Sequence, residues 1–558
     1  MRDDTTPEAA PPVRNDPNPE TRSPTRAGAR PLVGLYLLLL GVYLLTTPGD
    51  FRSIDEVHVY LTTQSIVERQ SLAIDPVTGT VRTAGGLTYG RAEPAQAVLS
   101  IPLYLLGRYA DQAGTPVMRY LWAGPDLGIW GGLVPIFFVA LFNQFVTPLI
   151  ALFVYLFCIE LGARRWAALL TTLVFALGTA AWEQSRDYFQ HPLESLMLLA
   201  AMYLLYRSRN RTAVRAALLA GTLMAVGFLT RLNLAIAVPL LAVYIVIAGD
   251  GTAVPGSPTG VASPDSRFSG PFFAAGQVLH RHGRDLVVRL RYRWRPLLAF
   301  AVPVLIGVAT VVLVNYLRFG SALALHGIPE ERVTRIVFGG RWWEGLYGNL
   351  FSPGRSLFLY SPPVLIGLFA FVHFYRQHRR EAMLFASVTA ACFLLYSLFR
   401  SWAGGWAWGP RFLFAITPLL IIPCALWLQT RARVLALVLA AVVGVGVQIA
   451  GVAIHWGYVY LEWGKRQFVP DDVYLFYPEV SAIPTHVDFL MQGRFLDPWL
   501  VWVYHEVGLS PAFFALAAPP LALVILGVYV LWQPRASATR VELDAREEVA
   551  ATDNRLPS

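Results

Sequence analysis

Residues 31–61 read PLVGLYLLLLGVYLLTTPGDFRSIDEVHVYL. An uncharged apolar run, Pro31–Leu45, is followed ten residues later by two adjacent carboxylates, Asp55 and Glu56. The run ends without a small-residue cleavage site, and the 30 residues before it are rich in Pro, Thr and charge, with five acids among them. That composition predicts a disordered tail followed by a retained membrane helix, not a secretory leader. The rest of the chain repeats the pattern. Of its 558 residues, 55% are hydrophobic and only 15% charged, against about a quarter charged in soluble proteins. Apolar runs recur at lengths that cross a hydrocarbon core of about 30 Å.

These runs predict an all-α polytopic membrane protein. Twelve spans fall near 31–47, 134–157, 165–182, 190–206, 212–229, 232–249, 297–317, 357–375, 382–399, 412–428, 433–453 and 511–532. The segment Ala95–Leu106 is too short to be a thirteenth and reads as a helix in the outer interface. The net charge of +9 comes from 44 arginines and one lysine, Lys465. They cluster between apolar runs, a distribution that speaks for a bilayer and against nucleic acid. The turns 161–165, 207–215, 376–380 and 429–433 hold eleven arginines, and the linker 250–296 holds seven more. The positive-inside rule puts these segments, and both termini, in the cytoplasm. The domain plan is therefore a tail 1–30, a membrane body 31–533 and a tail 534–558. The body's outer loops are 48–133, 318–356 and 454–510, and a functional site is expected on that outer face. Cys158, Cys392 and Cys424 lie in apolar segments and show no metal or disulfide spacing.

Ser53-Ile54-Asp55-Glu56 fits a capping box, with Glu56 at the third helical position reaching back to the Ser53 amide. Acids in a first turn also suit the helix dipole. That reading explains Glu56 more fully than Asp55. Neighbouring residues on a helix diverge by about 100°, so the two acids cannot flank one bond. Glu56 is expected to hold the loop and Asp55 to face a cavity, with His58 nearby.

Three arginines border the same face. SWAGGWAWGPRFL (401–413) presents Arg411 after three tryptophans and three glycines. An interfacial aromatic belt with a snorkelling arginine accounts for one or two of the tryptophans, whereas glycines let backbone approach a ligand. GNLFSPGRSLFLYSPP (348–363) presents Arg355 on a Pro-Gly turn. Arg231 lies between two spans joined by almost no loop, where an ionisable residue is a functional candidate. Tyr188, His191, Trp406 and Trp408 are candidates for the cavity lining.

In this order, the acid pair after the first span, NYLRFGSAL (315–323), the 348–363 turn and GGWAWGPRFL (404–413) resemble the GT-C membrane glycosyltransferases. The similarity is greatest to their protein O-mannosyltransferase and aminoarabinose-transferase branch. The longer acceptor-side motifs of the O-mannosyltransferases have no match here. The resemblance implies transfer of a sugar from a polyprenyl-phosphate carrier to a glycolipid, cell-wall glycan or protein on the outer face. It implies Asp55 as the base, Glu56 as its partner in the catalytic pair, and Arg411 and Arg355 as phosphate contacts, to which the depth of Arg231 adds a third donor-phosphate candidate. No metal is required, though Asp55 and Glu56 could hold a divalent cation. A transporter or lipid flippase, a ligase or polymerase with a lipid-diphosphate donor, and a non-catalytic scaffold are the alternatives. A transporter usually carries two related halves; no internal repeat is visible here.

Overall fold

The computed structural model describes residues 28–83, 85–114, 134–210, 213–248, 271–324, 327–328, 330–405, 407–459 and 471–533, with backbone alone for 271–286, 330 and 471–472. The expected tails, the middle of the cytoplasmic linker, Trp406 and residues 460–470 therefore lie outside the described residues.

The protein is all-α. Among the described residues the strands amount to one short antiparallel pair, β1 (Val81–Arg82) and β2 (Thr88–Tyr89). In the first third of the chain, α1 (Ala29–Leu45) leads through a short loop to α2 (Ile54–Arg69). Then come α3 (Ala95–Leu99), α4 (Ile101–Ala113), α5 (Val134–Ala140), α6 (Phe142–Glu160), α7 (Arg165–Gly178) and α8 (Ala181–Arg186). The middle third holds α9 (His191–Arg207), α10 (Val214–Thr230), α11 (Ala237–Ile247), α12 (Pro271–Phe319), α13 (Glu330–Ile336) and α14 (Trp342–Phe351). After these run α15 (Leu357–Tyr360), α16 (Pro363–Gln377), α17 (Arg379–Ser397), α18 (Thr417–Ile421), α19 (Pro423–Trp427) and α20 (Arg431–Ala453). A last helix, Pro511–Trp532, closes the chain against α1.

Every one of the twelve apolar stretches carries helix. Four described segments are long and apolar enough to cross a membrane by length and composition: Val134–Glu160, Val287–Phe319, Arg431–Ala453 and Pro511–Trp532. Others are broken where the sequence removes donors. The stretch 411–427 becomes a 3-10 turn (Arg411–Ile416), α18 and α19, because Pro418 and Pro423 each cancel an amide of the ladder. The segment 95–106 is helical and two-sided. Gln96, Ala97 and Tyr104 are buried, while Leu99, Leu105 and Leu106 are exposed. Helix α12 begins far earlier than the expected span and extends it by many turns at its N-terminal end.

Close helix contact depends on small residues. A Cβ on Gly527 of the last helix would sit 2.4 Å from the Leu38 nitrogen of α1. Helices α6, α9, α18 and α19 form the buried centre.

Candidate functional site

The loop before α2 is tied down by Glu56. The amides of Arg52 and Ser53 both donate to its Oε2 at 2.6 Å, and the Tyr188 amide donates to Oε1 at 2.5 Å. One buried carboxylate thus anchors the loop after α1 to the turn between α8 and α9. Burial, then Asp187, push the Glu56 carboxyl up to about 8, against the pull of the three amides. Asp55, one position earlier, points elsewhere and keeps its side chain 56% exposed.

Arg411 meets it. Its Nη2 lies 3.3 Å from Asp55 Oδ2, while its Nε has no hydrogen-bond partner among the described residues. The guanidinium rests over the Phe189 ring at 4.3 Å and near Phe412 at 5.4 Å. Its approach is set by Gly409, whose φ is +63° and whose pro-Cβ position is 2.8 Å from the Tyr360 ring. Gly409→Ala is therefore expected to cost about 1–3 kcal/mol from the left-handed backbone, plus a clash, and to displace Arg411. Thermal unfolding beside Gly405→Ala checks this. Gly405 has φ +64° but open space around it, so the excess loss at 409 reports the Tyr360 contact.

Arg231 forms the second cation of the wall. It ends α10 in an extended conformation, and its Nε lies 3.2 Å from Glu194 Oε2, a carboxylate only 2% exposed. Tyr396 donates to the other Glu194 oxygen at 3.3 Å and stacks on Phe412 at 5.1 Å. Arg231 in turn lies 5.6 Å from the Phe412 ring. The two arginines are thus neutralised differently: Arg231 by a buried acid behind the wall, Arg411 by an exposed acid on it.

Asp55, Arg231, Arg411, His58, Tyr188 and Arg91 line one cavity of about 310 Å³, closed on its apolar side by Phe189, Ile336, Val337, Phe399 and Phe412. His58 Nε2–H donates to the Thr78 carbonyl at 3.0 Å, and burial holds the imidazole below its ordinary pKa, so it is neutral. The Tyr188 hydroxyl pairs with Ser100 Oγ at 2.5 Å.

The remaining candidates stand apart from the lining. Arg355 is fully buried and donates to the carbonyls of Ala403, Gly405 and Gly354 at 2.6–2.8 Å, which clamps the glycine-rich loop leading to Arg411. His191 is buried beside Phe412, at 5.6 Å between ring centres. Trp408 is buried between Tyr360 and His486. The Asp55 and Glu56 carboxylates diverge, and among the described residues no group of three or more His, Cys, Asp or Glu is arranged to hold a metal ion.

Sequence reading missed three features. Arg91 lines the cavity from the segment between β2 and α3. Glu194, a lone acid in HPLESLMLLA, carried the signal of an ionisable group inside an apolar run. The third is a buried ion network. Asp497 lies 2.7 Å from Arg52 through Oδ1 and pairs with Arg186 through Oδ2, and Arg52 also reaches Asp50 at 3.0 Å. Arg186 donates to the Gly451 carbonyl at 2.9 Å. The loop before the last helix is thereby joined to the loop after α1, where Arg52 also donates its amide to Glu56.

No family model matches the chain, and no curated protein does. Among solved structures it is similar to ArnT from Cupriavidus metallidurans bound to undecaprenyl phosphate, with 13% identity, 89% of this chain and 75% of that chain covered, and a TM-score of 0.43. It is also similar to the archaeal oligosaccharyltransferase AglB from Archaeoglobus fulgidus in complex with an inhibitory peptide and a dolichol-phosphate. There the identity is 11%, the coverage 89% of this chain and 56% of that one, and the TM-score 0.41. Likeness this remote carries no functional argument, which rests instead on the site.

Proposed function

We propose that the protein is a membrane glycosyltransferase that moves a sugar from a polyprenyl-phosphate carrier to a hydroxyl of a glycolipid, cell-wall glycan or protein on the extracytoplasmic face. One observation carries this reading: a solvent-reachable carboxylate, Asp55, and two arginines, Arg411 and Arg231, on the wall of a single cavity. Glycosyl transfer from a lipid phosphate needs these parts. Asp55 takes the acceptor hydroxyl proton as the new oxygen–carbon bond forms. The bond from the anomeric carbon to the phosphate oxygen breaks, and its electron pair leaves with the phosphate. No acid is needed for such a leaving group. Positive charge is, and planar arginines supply it in bidentate form. Apolar walls and the greasy helical body accommodate the carrier. The polar groups gather at one end of the bundle, as a one-sided enzyme requires and a flippase with a central pathway does not.

Binding of a polyprenyl monophosphate to the purified full-length chain in nanodiscs tests the reading. Saturable binding is expected, with the corresponding polyprenol failing to compete. Equal binding of the alcohol overturns the phosphate assignment. Arg411→Lys keeps the charge but loses the planar fork, and is expected to lower transfer about 10²–10³-fold, the usual cost of one preorganised donor, with little change in thermal stability. Full activity in Arg411→Lys would place the leaving phosphate elsewhere.

A further inference from the structure

One aromatic ring of the cavity has a place that the chemistry above does not use. Phe412 follows Arg411 directly and lines the same cavity. The Arg411 guanidinium lies 5.4 Å from the centre of its ring and the Arg231 guanidinium 5.6 Å. Both fall within the reach of a cation–π contact, about 6 Å. Arg231 comes from the end of α10, whereas Arg411 opens the 3-10 turn Arg411–Ile416. Among the described residues Phe412 is the one ring that both cations share, while Phe189 holds Arg411 alone.

The ring is itself held from several sides. Tyr396 of α17 stacks on it, with 5.1 Å between centres and 12° between planes. His191, at the start of α9, meets it at 5.6 Å and 65°, and Phe399 meets it at 6.1 Å and 73°. Offset-stacked and T-shaped partners are the arrangements that aromatic pairs prefer. Three of them, from separate segments, leave the ring little freedom.

Charge explains the need for such a ring. Arginine stays protonated at any ordinary pH, so two guanidiniums bordering one cavity repel each other. Their acids do not hold them as a pair. Asp55 faces Arg411 from the exposed side, and Glu194 holds Arg231 from behind the wall. An aromatic face carries partial negative charge. A ring beside both cations attracts each and offsets part of their repulsion. It accepts few of the N–H groups that a phosphate must find, whereas a carboxylate in its place would compete for them.

We propose that Phe412 is a positioning residue that holds Arg231 and Arg411 as a pair for one phosphate, through the negative face of its ring. The inference rests on the phosphate reading of the cavity. Without the ring's charge the guanidiniums drift in the free protein and must be ordered again when the phosphate arrives. Immobilising a side chain of this kind weakens binding by about two- to twelve-fold.

Two substitutions separate charge from packing. Phe412→Leu removes the ring. Phe412→trifluorophenylalanine keeps a ring of nearly the same shape but withdraws the negative charge from its face. Binding of a polyprenyl monophosphate to the full-length protein in nanodiscs is measured for each, with the corresponding polyprenol as competitor. Wild type is expected to bind the phosphate without competition from the alcohol. Both variants are expected to bind it at least about three-fold more weakly. A fluorinated variant that binds as tightly as wild type, or more tightly, overturns the proposal even where Phe412→Leu binds weakly, because the ring then acts through its shape alone. If Phe412→Leu fails to fold, the fluorinated variant decides by itself. Wild-type binding that the alcohol matches overturns the phosphate reading of the cavity and this inference with it, whereas a failure confined to the variants leaves that reading standing.

Discussion

Asp55→Asn is expected to reduce sugar transfer about 10²–10⁴-fold, the contribution of a placed general base, while tightening the binding of a polyprenyl monophosphate. The second half follows from the pairing of Asp55 with Arg411. Arg411 has Asp55 as its counter-ion, 3.3 Å away. An incoming phosphate must compete with that carboxylate for the guanidinium. Asparagine removes the competitor. The gain is at most about five-fold, because an exposed ion pair is worth roughly 0.2–1 kcal/mol. The same exchange gives the intact enzyme an order. Donor phosphate occupies Arg411, and Asp55 is released to accept the acceptor proton. Arg231 takes no part in the exchange, because Glu194 neutralises it from behind. Transfer assays and binding titrations on one preparation check both halves. A variant that keeps transfer reduces Asp55 to a helix-end charge. A variant that loses transfer and also binds the phosphate more weakly contradicts the competition.

Asp497→Ala is expected to have the largest effect on stability. Asp497 is fully buried and faces two buried arginines, Arg52 and Arg186. Removing it leaves two desolvated cations with one remaining acid, Asp50, in contact with Arg52. Breaking a buried pair this way costs about 3–5 kcal/mol. Transfer should fall with it, since Arg52 and Arg186 flank the Glu56 anchor that aims Asp55. Asp50→Asn is the milder control, because Arg52 then keeps Asp497. Thermal unfolding of the detergent-purified protein should rank Asp497→Ala well below Asp50→Asn and wild type. Equal melting of all three would mean that the network does not join the two outer loops.

Much of the helical layout was legible because a bilayer allows so few backbone solutions. Each apolar run had to be helix, and arginine spacing separated them. The early start of α12 was not, because six arginines between 281 and 296 interrupt the apolar pattern ahead of the expected span. The divergence of Asp55 from Glu56 followed from helix geometry alone, and the carboxylates do point into different surroundings. Their environments did not follow. The third donor to Glu56 comes from Tyr188, and the partner of Asp55 is Arg411, each far away in sequence. Arg355 and Arg411 look alike in sequence, as arginines after a glycine-rich turn at a span's mouth. The fold separates them through the carbonyls of Ala403, Gly405 and Gly354, which need donors and receive them from Arg355. Trp408 reads as a candidate for the cavity lining, yet it is buried against Tyr360 and His486 by contacts between separate segments. Asp497 had no local signal, because its meaning lies in two distant arginines, Arg52 of the loop after α1 and Arg186 at the end of α8.

The central claim is that this outer-face site moves a sugar with Asp55 as base. The most direct test is mass spectrometry of surface glycans and glycolipids from the native host. The strains compared carry a deletion of the gene, the deletion complemented with wild type, and the deletion complemented with Asp55→Asn at matched membrane abundance. The account predicts that a glycan loses one sugar in the deletion, regains it with wild type and stays truncated with Asp55→Asn. An unchanged glycan profile in the deletion, or full restoration by Asp55→Asn, contradicts it.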